Sequence, residues 1–105
     1  MAGTVLAVGV VGCAAALGVG LAASGLAAVQ AQRAAAAADA AALAAADTAS
    51  GAVPGVPCER AAQVASANGG RLSACTLDGV IATVSVEVPV GALTARAWAR
   101  AGPPQ

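Results

Sequence analysis

Residues 4–49 read TVLAVGVVGCAAALGVGLAASGLAAVQAQRAAAAADAAALAAADTA, and this stretch decides the fold. Its first part, residues 4–29, carries no charged side chain. At about 1.5 Å per residue it is long enough to cross a hydrocarbon layer about 30 Å thick. Alanine, the best helix former, dominates the second part, and no Gly or Pro interrupts residues 26–50. The pattern predicts a transmembrane helix over residues 4–29 that continues, outside the membrane, as an alanine-rich helix over residues 30–49.

A cleaved secretory signal peptide is the rival interpretation of the same region. Val29-Gln30-Ala31 resembles the small-x-small site that precedes cleavage, here before Gln32. A signal peptide, however, has a basic N-terminal region and an apolar stretch of about 7 to 15 residues. Because this run is much longer and no Arg or Lys precedes it, an uncleaved anchor is favoured.

Small residues recur at every fourth position of the predicted span, at Gly12, Ala16, Gly20 and Ser24. This spacing places them on one helix face, and such faces let helix backbones approach closely in lipid. A span rich in alanine and glycine also produces this ridge by chance. The functional interpretation is a helix-packing face used in assembly.

The alanine-rich extension is only weakly amphipathic. Arg33, Asp39 and Asp47 mark its polar side, and the alanines with Leu43 are expected on the remainder. A helix covered with methyl groups buries little area alone but packs closely against neighbours. The extension is therefore expected to form a subunit contact or one wall of a thin domain.

A loop over residues 50–57, with two prolines and two glycines, separates this helix from a small domain over residues 58–101. Residues 58–68 predict a short helix that ends at Asn68-Gly69 in a left-handed cap. Its expected apolar stripe is Ala61, Ala62, Val64 and Ala65.

Residues 71–77 and 80–88 then alternate between apolar and polar residues, as expected of two strands. Asp78-Gly79 between them predicts a type I′ turn. That turn would place Leu77 opposite Val80, Cys75 opposite Ala82 and Ser73 opposite Val84.

Residues 94–100 alternate again and predict a third strand at the sheet edge, before a disordered tail over residues 102–105. Arg96, Trp98 and Arg100 are expected on its outer face, with alanines inside. A tryptophan flanked by arginines is a common partner contact, although an ordinary covering strand also explains it. The fold class predicted from the whole chain is α+β, with one long N-terminal helix followed by a helix and a three-stranded antiparallel sheet.

Two of the three cysteines, Cys58 and Cys75, are expected at the same height in the small domain. The short helix rises about 15 Å from Cys58, and the strand returns about 13 Å to Cys75. A disulfide is favoured, with two buried thiols as the alternative. A disulfide would place the domain in an oxidising, extracytoplasmic compartment. Arg33 taken alone would place the domain in the cytoplasm, because arginines that flank a span favour the cytoplasmic side.

Composition argues against several classes of function. The 105 residues include five arginines, five scattered acids, one aromatic residue and no Lys, His or Tyr. Nucleic-acid binding would require a basic face with stacking aromatics, and acid–base catalysis a cluster of titratable groups. We expect no enzyme activity, cofactor, metal, nucleic acid or small-molecule substrate.

An uncleaved hydrophobic helix that extends outward and carries a small hairpin domain resembles the layout of pilins and pseudopilins, and the resemblance to a known family covers nearly the whole chain. The run QRAAAAADAAALAAA over residues 32–46 looks like the segment just outside the membrane span in TadE- and TadG-like proteins of tight-adherence pilus systems. The segment CERAA from Cys58, the Asn68-Gly69 break, the SAC triplet ending at Cys75 and the Asp78-Gly79 turn are similar to an actinobacterial TadE-like subgroup encoded beside helicase and secretion genes.

This resemblance implies a minor pilin or pseudopilin role, with other pilin or secretion subunits and membrane lipid as partners. The protein would be a single-pass membrane protein whose C-terminal domain is extracytoplasmic. Two alternatives remain, namely a small anchored binding or regulatory protein without a filament role, and a secreted soluble domain released by cleavage after Ala31.

Overall fold

The structure, a computed structural model, describes residues 2–103, with the backbone alone for Ala23. It has the predicted α+β architecture. The elements in chain order are α1 (Ala2–Ala49), α2 (Pro57–Ala67), β1 (Arg71–Asp78), β2 (Ile81–Val90) and β3 (Leu93–Ala101). The long dimension of 76 Å reflects α1, since its 48 residues span about 72 Å. The tail expected over residues 102–105 is described only as far as Pro103, and its last two residues lie outside the described part.

The helix α1 is continuous, as predicted, but its two halves have different surroundings. From Ala2 to Val29 every described side chain is exposed. From Ala34 onward one face packs against α2 and the sheet, because steps of three and four residues align its methyl groups on that side. The buried alanines of this face are Ala34, Ala37, Ala38, Ala41, Ala42, Ala45 and Ala46, and Thr48 is buried beyond them. Of the two uses expected for the alanines, the structure shows the wall of a thin domain.

The position expected for Leu43 is wrong. Its side chain is 56% exposed, on the same side as the exposed Asp39 and Asp47 rather than among the packed alanines. The reason is helical geometry, because residues separated by steps of four lie along one stripe. Leu43 is therefore an apolar residue on the polar face of the extension.

The short helix α2 begins with Pro57 in its first turn and packs Ala61 and Ala65 against α1. Ala62, expected in the same stripe, is exposed instead. The helix ends as predicted, since Gly69 has a φ of +78° and the amide of Gly70 donates to the Ala65 carbonyl at 2.9 Å. The chain thereby reverses into β1.

The three strands form an antiparallel sheet in the order β1-β2-β3, so that the predicted third strand lies at an edge. The central strand β2 alternates as predicted, with its inner face buried against the helices. The buried residues of β2 are Ala82, Val84, Val86 and Val88. Alanines of β3 complete this face, so the core is a layer of valine and alanine between the sheet and the two helices.

The predicted turn between β1 and β2 is wrong in register by two residues. Leu77 pairs with Ala82 and Asp78 with Ile81, which leaves Gly79 and Val80 as the central turn residues. Gly79 has a φ of +62°, and no described residue other than glycine has a positive φ. This matches a type II′ turn, which needs the left-handed region only at its first central position. A type I′ turn at Asp78-Gly79 would have forced the aspartate into that region.

The register change leaves the face assignment of Cys75 intact, because a shift of two residues returns a side chain to the same face. Cys75 pairs with Val84 instead of Ala82. Ser73 does not pair with Val84, because the ladder shifts between Leu72 and Ala74. This bulge turns both Leu72 and Cys75 toward the core.

Candidate functional site

The predicted disulfide between Cys58 and Cys75 is present. It joins the first turn of α2 to the middle of β1, with the two Cα atoms 5.9 Å apart. Since α2 and β1 are joined only by a short glycine-containing connection, the bond closes a compact loop. It holds α2 against the sheet on the side where β1 is an edge strand.

The outer face of the sheet carries a charged row across all three strands. Glu87 on β2 lies between Arg71 on β1 and Arg96 on β3. Arg71 Nη2 donates to Glu87 Oε2 at 2.7 Å, and Arg96 Nε lies 3.0 Å from Oε1. The hydrogen bond from Arg71 lowers the pKa of Glu87, desolvation opposes it, and the charges of Arg96 and Arg71 lower it further. The carboxylate is therefore held ionised by its neighbours.

The stripe Arg96, Trp98 and Arg100 faces outward, as predicted from the alternation in β3. Trp98 lies opposite Ser85 and is 72% exposed, so its indole is not part of the core. Arg96 is already paired with Glu87, whereas Arg100 forms no ion pair with another residue of the described range. The free contact surface is thus centred on Trp98 and Arg100, and its role in partner binding stays a prediction.

The predicted ridge on the span is exposed along its whole length. A Cβ added to Gly12 or Gly20 would meet nothing within 4 Å in the described chain. The hydroxyl of Ser24 donates to the Gly20 carbonyl at 3.0 Å, which satisfies it within the helix. Among residues 2–103 nothing packs on the ridge, and its use in helix packing stays a prediction.

The first half of α1 is long and apolar enough to cross a membrane. Its valine and leucine side chains are between 50% and 74% exposed. The exposed members are Val5, Leu6, Val8, Val10, Val11, Leu17, Val19, Leu21, Leu26 and Val29. This surface is far larger than the isolated apolar residues that a water-exposed protein surface ordinarily shows.

A second apolar surface lies beside this helix and was not predicted from the sequence. The turn between β2 and β3 has Gly91 and Ala92 at its centre, flanked by the pair Val90 and Leu93. Val90 and Leu93 line an open cleft together with Ala27 of α1. Leu93 is 76% exposed. The sequence feature that could have predicted this surface is the run VPVGAL over residues 88–93, since a turn without polar side chains is unusual.

Within residues 2–103 no group of three or more His, Cys, Asp or Glu side chains is placed to hold a metal ion. Comparisons of the chain with protein-family models, curated proteins and solved structures give no match. The geometry described above is accordingly the basis of the functional proposal.

Proposed function

We propose that this chain is a membrane-anchored, non-catalytic structural subunit of a pilin-like assembly, of the tight-adherence type or of a related secretion apparatus. One observation carries the proposal, namely the division of a single continuous helix. The first half of α1, residues 2–29, is apolar and exposed, and we call it the bare half of α1. The second half packs against a helix and an antiparallel sheet. The pilin-like layout that the sequence resembles has the same division.

The bare half of α1 requires an apolar environment. Burial of apolar surface is favourable by about 25 cal/mol per Å², and the described part of the chain buries none of these side chains. Lipid and neighbouring helices are the two surroundings that can cover it. The ridge from Gly12 to Ser24 offers such a neighbour a close approach.

The disulfide supports a location for the small domain. Structural disulfides persist in oxidising compartments and are rare in the cytosol. The bond between Cys58 and Cys75 therefore supports an extracytoplasmic domain at the end of an uncleaved anchor. Arg33 alone would favour a cytoplasmic domain, but one arginine is weaker evidence than the disulfide.

A cysteine crosslinking experiment in membranes tests the assembly role. In a Cys13→Ser background, Ala16→Cys places a thiol on the ridge, and Ala14→Cys places one nearly opposite at almost the same depth. We expect a photoreactive maleimide attached to the introduced thiol to crosslink the Ala16→Cys chain to a second copy or to another subunit, and to leave the Ala14→Cys chain monomeric. Absence of adducts from both positions, or equal adducts from both, would overturn the assembly role.

A second candidate function, an anchored binding protein without an assembly role, is favoured by the exposure of Trp98. It predicts a photocrosslink from position 98 to a single partner in whole cells, with no ridge adduct. The proposed assembly role predicts the ridge adduct whether or not position 98 also crosslinks.

The secreted alternative differs from both in the length of the mature chain. An intact mass that retains the residues before Gln32 supports the anchored proposal. A mass beginning at Gln32 would contradict it, because the bare half of α1 would then be absent from the mature protein.

A further inference from the structure

We propose that the turn between β2 and β3 is a second membrane contact, which inserts into the lipid surface beside the anchor helix. This inference rests on the proposed function, because it requires α1 to cross a bilayer. It concerns residues 90–93, to which neither the composition nor the resemblance assigns a role.

The first step is the height of the turn relative to the span. Val90 and Leu93 share a cleft with Ala27, which lies within the apolar run that ends at Val29. A bilayer that covers α1 as far as Val29 therefore also reaches the level of Leu93. The turn and the span line one cleft, and among its lining residues only Thr94 carries a polar side chain. For this reason lipid is the occupant that fits.

The second step is the chemistry of the turn. Residues 88–93, VPVGAL, contain no charged side chain and no polar side chain. Leu93 exposes a larger fraction of its surface than any other large apolar residue described, including those of the bare half of α1. A tight turn centred on Gly91, with a φ of +59°, presents this side chain at the end of the domain.

The third step is the position of the charges. Arg96 lies three residues beyond Leu93, or about 10 Å along the strand, and Arg71 and Glu87 lie in the same row. Arg33 lies six residues beyond Ala27, or about 9 Å along the helix. Arg33 and Arg96 thus lie about equally far from the cleft along their own elements, and Arg71 lies in the row of Arg96. Lipid phosphates would be near this level if Leu93 reaches the acyl boundary. Interfacial segments insert their apolar side about 5 to 10 Å and place basic residues at the headgroups.

Two contacts with the bilayer have a mechanical consequence. Because α1 is continuous, the small domain moves with its anchor, and a single crossing leaves the tilt of both toward the bilayer open. A second contact at Leu93 restrains that tilt, so that the edge of the domain bearing Leu93 faces the lipid in every copy.

Tryptophan fluorescence in vesicles tests the inference. In a Trp98→Phe background, Leu93→Trp places the sole tryptophan in the turn, and Leu17→Trp places it in the span. Val80→Trp, in the turn at the other end of the sheet, is the matched control. The full-length variants are reconstituted in phosphatidylcholine and phosphatidylglycerol vesicles with acyl chains brominated, and intact mass verifies the disulfide in each as a check of folding.

We expect the Leu93→Trp and Leu17→Trp chains to lose most of their emission to the brominated chains and the Val80→Trp chain to retain it. Quenching at position 17 without quenching at position 93 would overturn the inference and leave the anchor intact. No quenching at position 17 would contradict the anchor itself, and with it this inference. Equal quenching at positions 80 and 93 would also overturn it, because the domain would then lie flat on the bilayer.

Discussion

Cys58 and Cys75 join the first turn of α2 to the middle of β1, across a gap of 5.9 Å between their Cα atoms. The bond matters because the core beneath it is thin. Within the described residues the largest fully buried side chains are those of Val84 and Val86, and the rest of the buried apolar core is alanine with Val88. A core of small side chains contributes limited apolar burial, so restriction of the unfolded chain by the disulfide is a substantial share of the stability.

Removal of the disulfide is expected to destabilise the small domain. The double substitution Cys58→Ala with Cys75→Ala should lower the free energy of unfolding by about 3 kcal/mol. The bond joins residues 17 positions apart, and its removal frees that loop in the unfolded state. Hydrogen exchange of the β2 amides measures the cost and should accelerate about 100-fold. Cys13→Ala, in the bare half of α1, is the control and should leave exchange unchanged. Unchanged exchange in the double variant would show that the bond contributes no stability.

The same cysteines report the topology. Under the proposed topology, a membrane-impermeant maleimide should label Cys58 and Cys75 in whole cells only after a reductant is added, since the thiols are joined and the domain would be outside. Cys13 should remain unlabelled under both conditions, because lipid would cover the span. Labelling of the pair before reduction would rule out the disulfide, and no labelling after reduction would place the domain in the cytoplasm.

The alanine face of α1 should tolerate no larger side chain. Ala41→Leu introduces a branched side chain where the alanine is fully buried, and overpacking of this kind costs about 1 to 3 kcal/mol. Ala36→Leu makes the same change on the exposed side of the same helix and should be nearly neutral. Limited proteolysis of the domain distinguishes them, because cleavage follows the population of the opened state. Equal cleavage rates in the two variants would contradict the packing described.

Acid should weaken the charged row on the outer face. The pKa of Glu87 is lowered from its ordinary value of 4.5, chiefly by the hydrogen bond from Arg71. A carboxylate whose pKa is lower in the folded state stabilises the fold above its unfolded pKa and loses that contribution as the pH falls through the folded value.

The wild type should therefore unfold at a higher urea concentration than Glu87→Gln at neutral pH. The two midpoints should converge below about pH 4. Glu59→Gln is the control, since Glu59 takes part in no ion pair within residues 2–103. A constant difference between wild type and Glu87→Gln across the pH range would mean that the ion pairs do not account for it.

Local chemistry explains the features that could be predicted from the sequence. The extent of α1 follows from alanine propensity and the absence of helix breakers in residues 26–50. The strands follow from period-two alternation, and the outward position of Trp98 follows from the same period. The disulfide was predictable because helix rise and strand rise fix the distance travelled between Cys58 and Cys75.

The register of the β1–β2 hairpin was predicted wrongly because two positions for its turn were nearly equivalent in local sequence. Asp78-Gly79 and Gly79-Val80 both offer a two-residue turn, and pairing along the whole of β2 selected the second. The bulge at Ser73 depends on packing of Leu72 and Cys75 against the helices, which no local pattern encodes.

The sequence by itself determined a long apolar helix, a small disulfide-closed domain and their order, because these depend on propensity, periodicity and spacing along the chain. Only the tertiary structure decided which face of the alanine helix is buried and that the β2–β3 turn lies beside Ala27. Both depend on how the sheet is placed along α1. A helix whose faces are nearly all methyl groups carries too little asymmetry to specify that placement, so the contacts of the folded domain select it.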